Sequence, residues 1–505
     1  MHRKLICFLA ALCLLCGLAP LQAEETNRYL RDFEKRVTEF TLDNGLHFLV
    51  IERHQAPVAS FVTFVDAGSV NEPCGKTGVA HLFEHMAFKG TKRIGTTNWA
   101  EEKKVLEKLD AVYAKWQRAK QQKGKDAREK AARLRQRFEE LQEEAGSYVK
   151  SNEFSKIIEK NGGTHLNAGT AADFTVYFCS LPANRAQLWF LLESDRLQHP
   201  VWREFYTEKQ VVREERRMRV ESSPTGRLFQ DLRAVAYIAH PYRNPTIGWR
   251  SDLASLSKPD IEAFYDRHYT SRNITLAIAG DVQPRRMREL AERYFGGFNR
   301  EGPKPKERLT EEPDQFGRRE LVLKKHHQPV YTRAYHAVAQ DHPDAPALEL
   351  LADILTSGRT SRLYTRLVEE ERLAAQVHAF EGFPGDKYPS LFAIYAIPNK
   401  GVDLDELAKA VDRELEKVKA GELQQEELDR ARTKARANLI RGLDSNRGLA
   451  RSFAQAQAQR GDWRAVFTHL DRLEEVSRRD IREAARKYLV EAHMTEGRLK
   501  NASTQ

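Results

Sequence analysis

The stretch GVAHLFEHMAFKG, residues 78–90, sets the hardest condition on how this chain can fold. On a helix, His81 and His85 project from one face a turn apart, with Glu84 beside them. Two neutral imidazoles at that spacing suit one zinc ion, at about 2.0–2.1 Å from each. A catalytic zinc needs a third protein ligand and one open position. That ligand must come from elsewhere, so a distant segment has to return to this turn. Glu84 is placed to take a proton from a zinc-bound water, whose pKa the metal lowers toward about 7.

The segment TEKQVVREERRMRVE offers acids for the third position. Glu208 and Glu215 are seven apart, two helical turns, and share a face. Spacing alone neither chooses between them nor excludes Glu214 and Glu221. The same acids would serve equally as surface partners of Arg213, Arg216, Arg217 and Arg219.

At 505 residues the chain is too long for one ordinary domain. It begins with a basic start (His2, Arg3, Lys4), an apolar run from Leu5 to Leu15 and a small residue at Ala23. That layout predicts a signal peptide over 1–23 and an exported, periplasmic or extracytoplasmic, soluble protein. A lipoprotein anchor at Cys16 is the rival reading, opposed by the bulk of Leu15. The apolar run is too short to span a bilayer, and no later segment is long and apolar enough. Beyond the leader only Cys74 and Cys179 remain, which excludes a disulfide framework and leaves a single bridge as a hypothesis. The net charge of +10 is spread among many acids. It reads as a solvated mixed surface and not as a nucleic-acid patch.

Asn44-Gly45 between two alternating runs over 40–53 marks a β-hairpin. VASFVTFVDAG (58–68) reads as a third strand, 161–182 as two more, and 273–282 as a buried one. Residues 187–197 and 203–222 read as helices. Between 99 and 150 the composition turns to Lys, Glu, Arg and Ala. Leu106, Leu109, Tyr113 and Trp116 form one apolar stripe there, and Leu134, Phe138 and Leu141 another. With Gly124 between them, they predict a helical hairpin zipped by the two stripes. Residues 300–318 hold three prolines and many charges and read as a linker. Beyond it, strands are followed by a helix, a loop and another helix over 346–380, then by continuous helix over 405–440. The expected fold class is α+β: two homologous domains, 24–299 and 319–500, each a mixed or antiparallel sheet with helices packed on it. The first carries the helical insert, and the second lacks the paired histidines.

GVAHLFEHMAFKGT, GGTHLNAGTAADFTVYF and EKQVVREERRMRVE, in this order, resemble the pitrilysin/insulinase-like zinc peptidases, the inverzincins. The half-length branch is similar to the mitochondrial processing peptidases and their bacterial exported relatives. The resemblance covers roughly residues 35–500. It implies one zinc per chain on His81, His85 and Glu215, with Glu84 as general base and Glu208 as a supporting acid. It implies that Asn167 and Ala168 lie on an edge strand that pairs with an extended peptide substrate.

Two departures stand out. His85 and Glu215 are further apart than is usual in the family, by an excess that matches the 99–150 arm. The family's other half supplies an arginine and a tyrosine, seven apart, that stabilise the oxyanion. Val368 and Ala375 occupy those positions here, and neither donates a hydrogen bond. Arg366 and Arg372 are nearby, but no tyrosine stands at the right offset. The resemblance therefore implies an exported zinc endopeptidase that works as a hetero-oligomer, with a related subunit supplying the Arg/Tyr pair. The alternative is a non-catalytic peptide-binding or scaffold member of the same family.

Overall fold

The computed structural model describes residues 32–300, 302–306 and 309–502, so the readings at 1–23 and Cys16 fall outside the described residues. Two sheets organise the chain. The first comprises β1 (Val37–Thr41), β2 (His47–Glu52), β3 (Val58–Val65), β4 (Thr164–Thr170), β5 (Thr175–Pro182) and β6 (Ile274–Gly280), in the order β1-β2-β6-β3-β5-β4. The second comprises β7 (Arg319–Lys325), β8 (Val330–His336), β9 (Ala374–Phe383), β10 (Leu391–Pro398) and β11 (Met494–Asn501), in the order β7-β11-β8-β10-β9. Each sheet has one parallel pair, β2/β6 and β7/β11, formed when the last strand of the half returns beside β2 in the first sheet and beside β7 in the second. Set against each other, the second order is the first without β1. The α+β duplication is therefore explicit in the topology.

Asn44-Gly45 turns the chain between β1 and β2. Gly45 takes φ 90°, and Asn44 Oδ1 accepts the Leu46 amide at 3.1 Å. Alternation then sorts the side chains of β2: Phe48 and Val50 enter one core, Leu49 and Ile51 another. β6 (ITLAIAG) is buried along its whole length, and apolar but for Thr275, because helices cover both faces of the sheet.

The two halves exchange helices across their sheets. The helix Asn446–Arg460, from the second half, lays Leu449, Ala450, Phe453 and Ala454 on Leu49, Ile51, Val62 and Phe64 of the first sheet. The helix Pro224–Ala236, from the first half, lays Leu232 and Ala236 against Ala334, Leu391 and Ala393 of the second, and Leu228 against Val330 and Leu499. The described residues of the 300–318 segment are tied down: Glu312 accepts the amides of Ile238, Ala239 and His240 at 2.8–3.0 Å, and Lys304 pairs with Asp66 at 2.6 Å.

Three expectations are corrected. The second helix expected over 346–380 gives way after Glu370: Arg372 takes φ 53°, and Ala374–Phe383 is the edge strand β9. Its Leu/Ala-rich start resembles helix, but Ala374 and Val377 are buried by pairing and sheet packing. The continuous helix over 405–440 is two helices, Leu404–Ala420 and Gln425–Asp444, because Gly421 takes φ 94° and caps the first. Cys74 is exposed and Cys179 is buried, and both are free thiols. No helix among the described residues is long and apolar enough to cross a membrane.

Phe453 is fully buried where the second half's helix meets the first sheet, stacked on Trp463 at 4.8 Å. Phe453→Ala is expected to cost about 3–5 kcal/mol in urea unfolding. Exposed Arg451→Ala on the same helix should change stability by less than about 0.5 kcal/mol.

Candidate metal centre

The short helix Val79–Met86 buries Val79, Ala80, Leu82, Phe83 and Met86, which turns His81, Glu84 and His85 toward the cleft. Gly78 precedes it at φ 88°, where an added Cβ would lie 2.7 Å from Leu253 and 2.8 Å from the Ile247 carbonyl. Glu72, itself buried, accepts the free amides of Gly78 and Ala80, both at 2.9 Å, and so fixes the first turn.

The helix Phe205–Arg216 passes over this turn and continues as a π-helical segment, Arg217–Glu221. It brings Glu215 to the histidine pair. Glu215 Oε2 lies 3.7 Å from His81 Nε2 and 3.5 Å from His85 Nε2. Among the described residues these three are the one such group whose potential ligand atoms all lie within 4.8 Å of one another. Tetrahedral zinc with bonds of about 2.0–2.1 Å separates its ligand atoms by about 3.3 Å, so the triangle fits the ion with little movement.

The surroundings prepare these groups for that task. Burial, helped by His85 and Arg219, pulls His81 down to about 3, so it is the neutral imidazole a metal requires. Burial also pulls on His85, but its hydrogen bond to Glu208 and the charges of Glu208, Glu215 and Glu84 outweigh it and raise its pKa. Glu208 Oε2 sits 3.3 Å from His85 Nδ1, leaving Nε2 directed at Glu215. Burial would raise Glu208, yet its bonds to His85 and Lys89 hold it below the ordinary value. Glu84 is raised, chiefly by burial, and accepts a hydrogen bond from Thr170 Oγ1 at 2.7 Å.

Thr170 closes β4, the free edge of the first sheet, so that edge ends beside Glu84. Asn167 and Ala168 both lie on β4, past a bulge at His165, where φ is 55°. The Ala168 amide donates to its neighbour's Asn167 Oδ1 at 2.9 Å, so a side chain covers this edge donor. The other candidate acids turn elsewhere: Glu214 pairs with Arg217, and Glu221 lies 3.8 Å from Arg216. Val368 packs against the second core, and Ala375 is exposed on edge strand β9.

Spacing did not single out three further participants, Lys89, Glu72 and Thr170, and it read Arg219 only as one of several partners for the local acids. Lys89, one turn beyond His85, bridges Glu208 and Glu204 at 2.6 and 3.2 Å. Arg219, one turn beyond Glu215, takes its second oxygen at 2.9 Å. Their i+4 offsets were the available signal. Glu72 and Thr170 gave none.

The arm is built into the site's support. Its helices, Trp99–Gln121 and Lys125–Gly146, pack through Leu106, Leu109, Phe138 and Leu141, with Tyr113 and Trp116 against Phe138. At its base Glu102 accepts from buried Arg203 at 2.8 and 3.0 Å. Lys209, on the Glu215 helix, donates to Tyr113 at 3.0 Å and to the carbonyls of Ala254 and Leu256.

Comparisons with known proteins agree with this picture. The family model described as Insulinase (Peptidase family M16) matches residues 47–120 and 143–249, breaking within the arm. The model described as Peptidase M16 inactive domain matches 255–435. The chain is 30% identical over 433 residues to the zinc protease PqqE of Helicobacter pylori, covering 83% of each. It is 23% identical over 475 residues to a probable mitochondrial-processing peptidase subunit beta of Arabidopsis thaliana, covering 92% of this chain and 78% of that one. A crystal structure of a Helicobacter pylori protease superposes with a TM-score of 0.75 at 27% identity, over 92% of this chain and 99% of that one. Fold and site thus define a two-sheet protein of the half-length peptidase type, with a metal-ligand triangle in its first half. The chain belongs to the insulinase family, peptidase family M16.

Zinc measured on the purified chain is expected at one per molecule. His81→Ala, His85→Ala and Glu215→Ala should each abolish it, Glu84→Gln should retain it, and Glu208→Gln should weaken affinity about 10–100-fold. Glu102→Ala should destabilise the chain by about 3–5 kcal/mol in urea unfolding by leaving Arg203 buried without its counter-charge. Exposed Glu107→Ala on the same arm should cost less than about 1 kcal/mol.

Proposed function

We propose that the chain is an exported zinc metalloendopeptidase acting on extended or unfolded peptides, and the metal-bearing subunit of a two-subunit enzyme. What carries this is the meeting of the His81–His85–Glu215 triangle, Glu84 and the end of a free sheet edge in one cleft. Zinc, when bound by those three side chains, supplies Lewis acidity toward water and a substrate carbonyl.

The chain's own residues supply the rest. A peptide adds to β4 as a further strand, and Asn167 Oδ1 rotates off the Ala168 amide to release an edge donor to it. The carbonyl to be attacked then lies in front of the triangle. Glu84, oriented by Thr170 and made more basic by burial, takes the proton of the attacking water as the C–O bond forms. It returns that proton to the amide nitrogen as the C–N bond breaks. Glu208 and Lys89 keep His85 turned inward throughout.

The second subunit is inferred from Val368 and Ala375, which offer no donor to a carbonyl oxygen gaining charge. Relatives named as subunits of the mitochondrial-processing peptidase are in keeping with a divided site. Export rests on the composition of residues 1–23. The same two positions favour a second reading, a non-catalytic peptide-binding or scaffold member. The complete ligand set opposes it.

Cleavage of a mixed peptide pool is expected only with zinc, wild-type Glu84 and a related subunit that bears the Arg/Tyr pair. Glu84→Gln should lower the rate at least about 100-fold with zinc still bound. Full activity of the chain alone would remove the two-subunit reading. Zinc-loaded protein that cleaves nothing in any combination would favour the scaffold.

A further inference from the structure

Behind the Glu215 helix, on the side away from the histidines, lies an open pocket of about 910 Å³. Its walls come from the helix Phe205–Arg216, the start of the helix Pro224–Ala236, the helix Arg250–Ser255 and β7 of the second sheet. Arg213, Arg216, Arg227, Arg250 and Lys325 all line it, against one lining carboxylate, Glu221. A side lobe of about 160 Å³ shares Arg213, Arg216, Arg250 and Glu221 and adds Arg217, which is paired with Glu214 at 2.5 Å.

The local acids do not balance these cations. Asp231 takes Arg227 at 2.6 Å, and Glu221 stands 3.8 Å from Arg216. Arg250 and Lys325 are exposed and make no ion pair among the described residues. Arg216 is the fixed element. It is 4% exposed, donates to the Gly248 carbonyl at 2.7 Å and to Gln230 at 2.8 Å, and keeps its buried Nε without a hydrogen-bond partner. Trp249, half-buried, forms a flat wall 6.0 Å from the Arg216 guanidinium. Five cations around one cavity repel one another unless an anion sits among them. A set that is four-fifths arginine favours phosphate, whose oxygens match guanidinium forks. The volume lies in the range of small-molecule sites and exceeds what a single phosphate fills.

We propose that this pocket binds an oligophosphate anion, a chain of two or three phosphates either free or carried by a nucleoside whose base would lie on Trp249. It does not depend on the hydrolase reading, since none of its residues belongs to the cleavage machinery.

The test is titration calorimetry of the full chain with tripolyphosphate, with ATP, with adenosine and with sulfate at matched ionic strength. Zinc content is measured before and after, so that chelation is read separately. One saturable site for tripolyphosphate is expected, at least tenfold tighter than sulfate and with no loss of zinc. Arg250→Glu and Lys325→Glu, both exposed, should each weaken it at least tenfold. Lys123→Glu, an equal charge change at the arm's tip, should leave it unchanged. ATP binding more tightly than tripolyphosphate, with adenosine silent, would assign the nucleoside form, and equal affinity the free form. Absence of saturation in the millimolar range, or equal weakening by Lys123→Glu, would overturn the proposal.

Discussion

One guanidinium joins the three segments that make the candidate metal centre. Arg203 is fully buried and donates five hydrogen bonds: two to Glu102, and one each to the carbonyls of Lys89, Thr91 and Ile94. Arginine has five N–H groups, and here all are used. The carbonyls belong to the turn that leaves the histidine helix, Glu102 to the base of the arm, and Arg203 to the entrance of the Glu215 helix. A buried charge is tolerable only when paired and fully hydrogen-bonded. The three segments must therefore meet in one arrangement or leave that charge unsatisfied. Lys209, Tyr206 and Asp110 extend the same tie along the helix, with Tyr206 donating to Asp110 at 2.9 Å.

Seen this way, the arm is more than an appendage. Its outer part is solvated and laced with surface ion pairs such as Arg135–Glu139, which contribute little each. Its base, in contrast, buries Glu102 and Leu109 and packs Tyr113 against Tyr206, ring centroids 4.3 Å apart. The position of Glu215 is set partly from a segment that carries no ligand. The second half acts on the site in a similar indirect way. Asp173, in the turn joining β4 to β5, accepts the Tyr242 hydroxyl at 2.6 Å and the Asp386 and Lys387 amides from the β9–β10 loop. That holds the end of β4, and with it Thr170, against the other half of the chain.

Much of this was legible in the sequence, and the remainder was hidden for definite reasons. Periodicity located the arm because each of its helices has one buried stripe, and it located the strands by their short apolar runs between turn residues, even on β2, where Phe48 and Leu49 enter cores on opposite faces. It failed over Ala374–Phe383, where an edge strand begins with residues that also suit a helix, and at Gly421, where one left-handed residue divides a helical pattern. At the site, spacing reduced the third ligand to four glutamates and stopped. Glu208 and Glu215 share a face, so only the angle at which their helix crosses the histidine turn decides which reaches Nε2 and which reaches Nδ1. That angle is fixed by Arg203 and Lys209, long-range contacts with no local signature. The exchange of helices between the sheets was equally invisible, since an amphipathic helix does not encode which sheet it covers.

The duplication also explains why one half carries the chemistry proposed above. The strand orders of the two sheets correspond, and so do their first long helical connections, yet Ala345–Thr356 presents an almost wholly apolar surface where Val79–Met86 presents His81, Glu84 and His85. A helix with Ala345, Leu348, Leu351, Ala352 and Leu355 buried packs firmly and needs no cap like Glu72. The histidine helix, at eight residues and with three polar groups turned to the cleft, has less apolar surface to hold it. It relies on Glu72 at its start and on Arg203 beyond its end. The groups that would bind metal and move a proton thus sit on the less self-sufficient of two equivalent helices. The cost of exposing them is offset by buried polar groups, Glu72 at the start of the helix and Arg203 beyond its end.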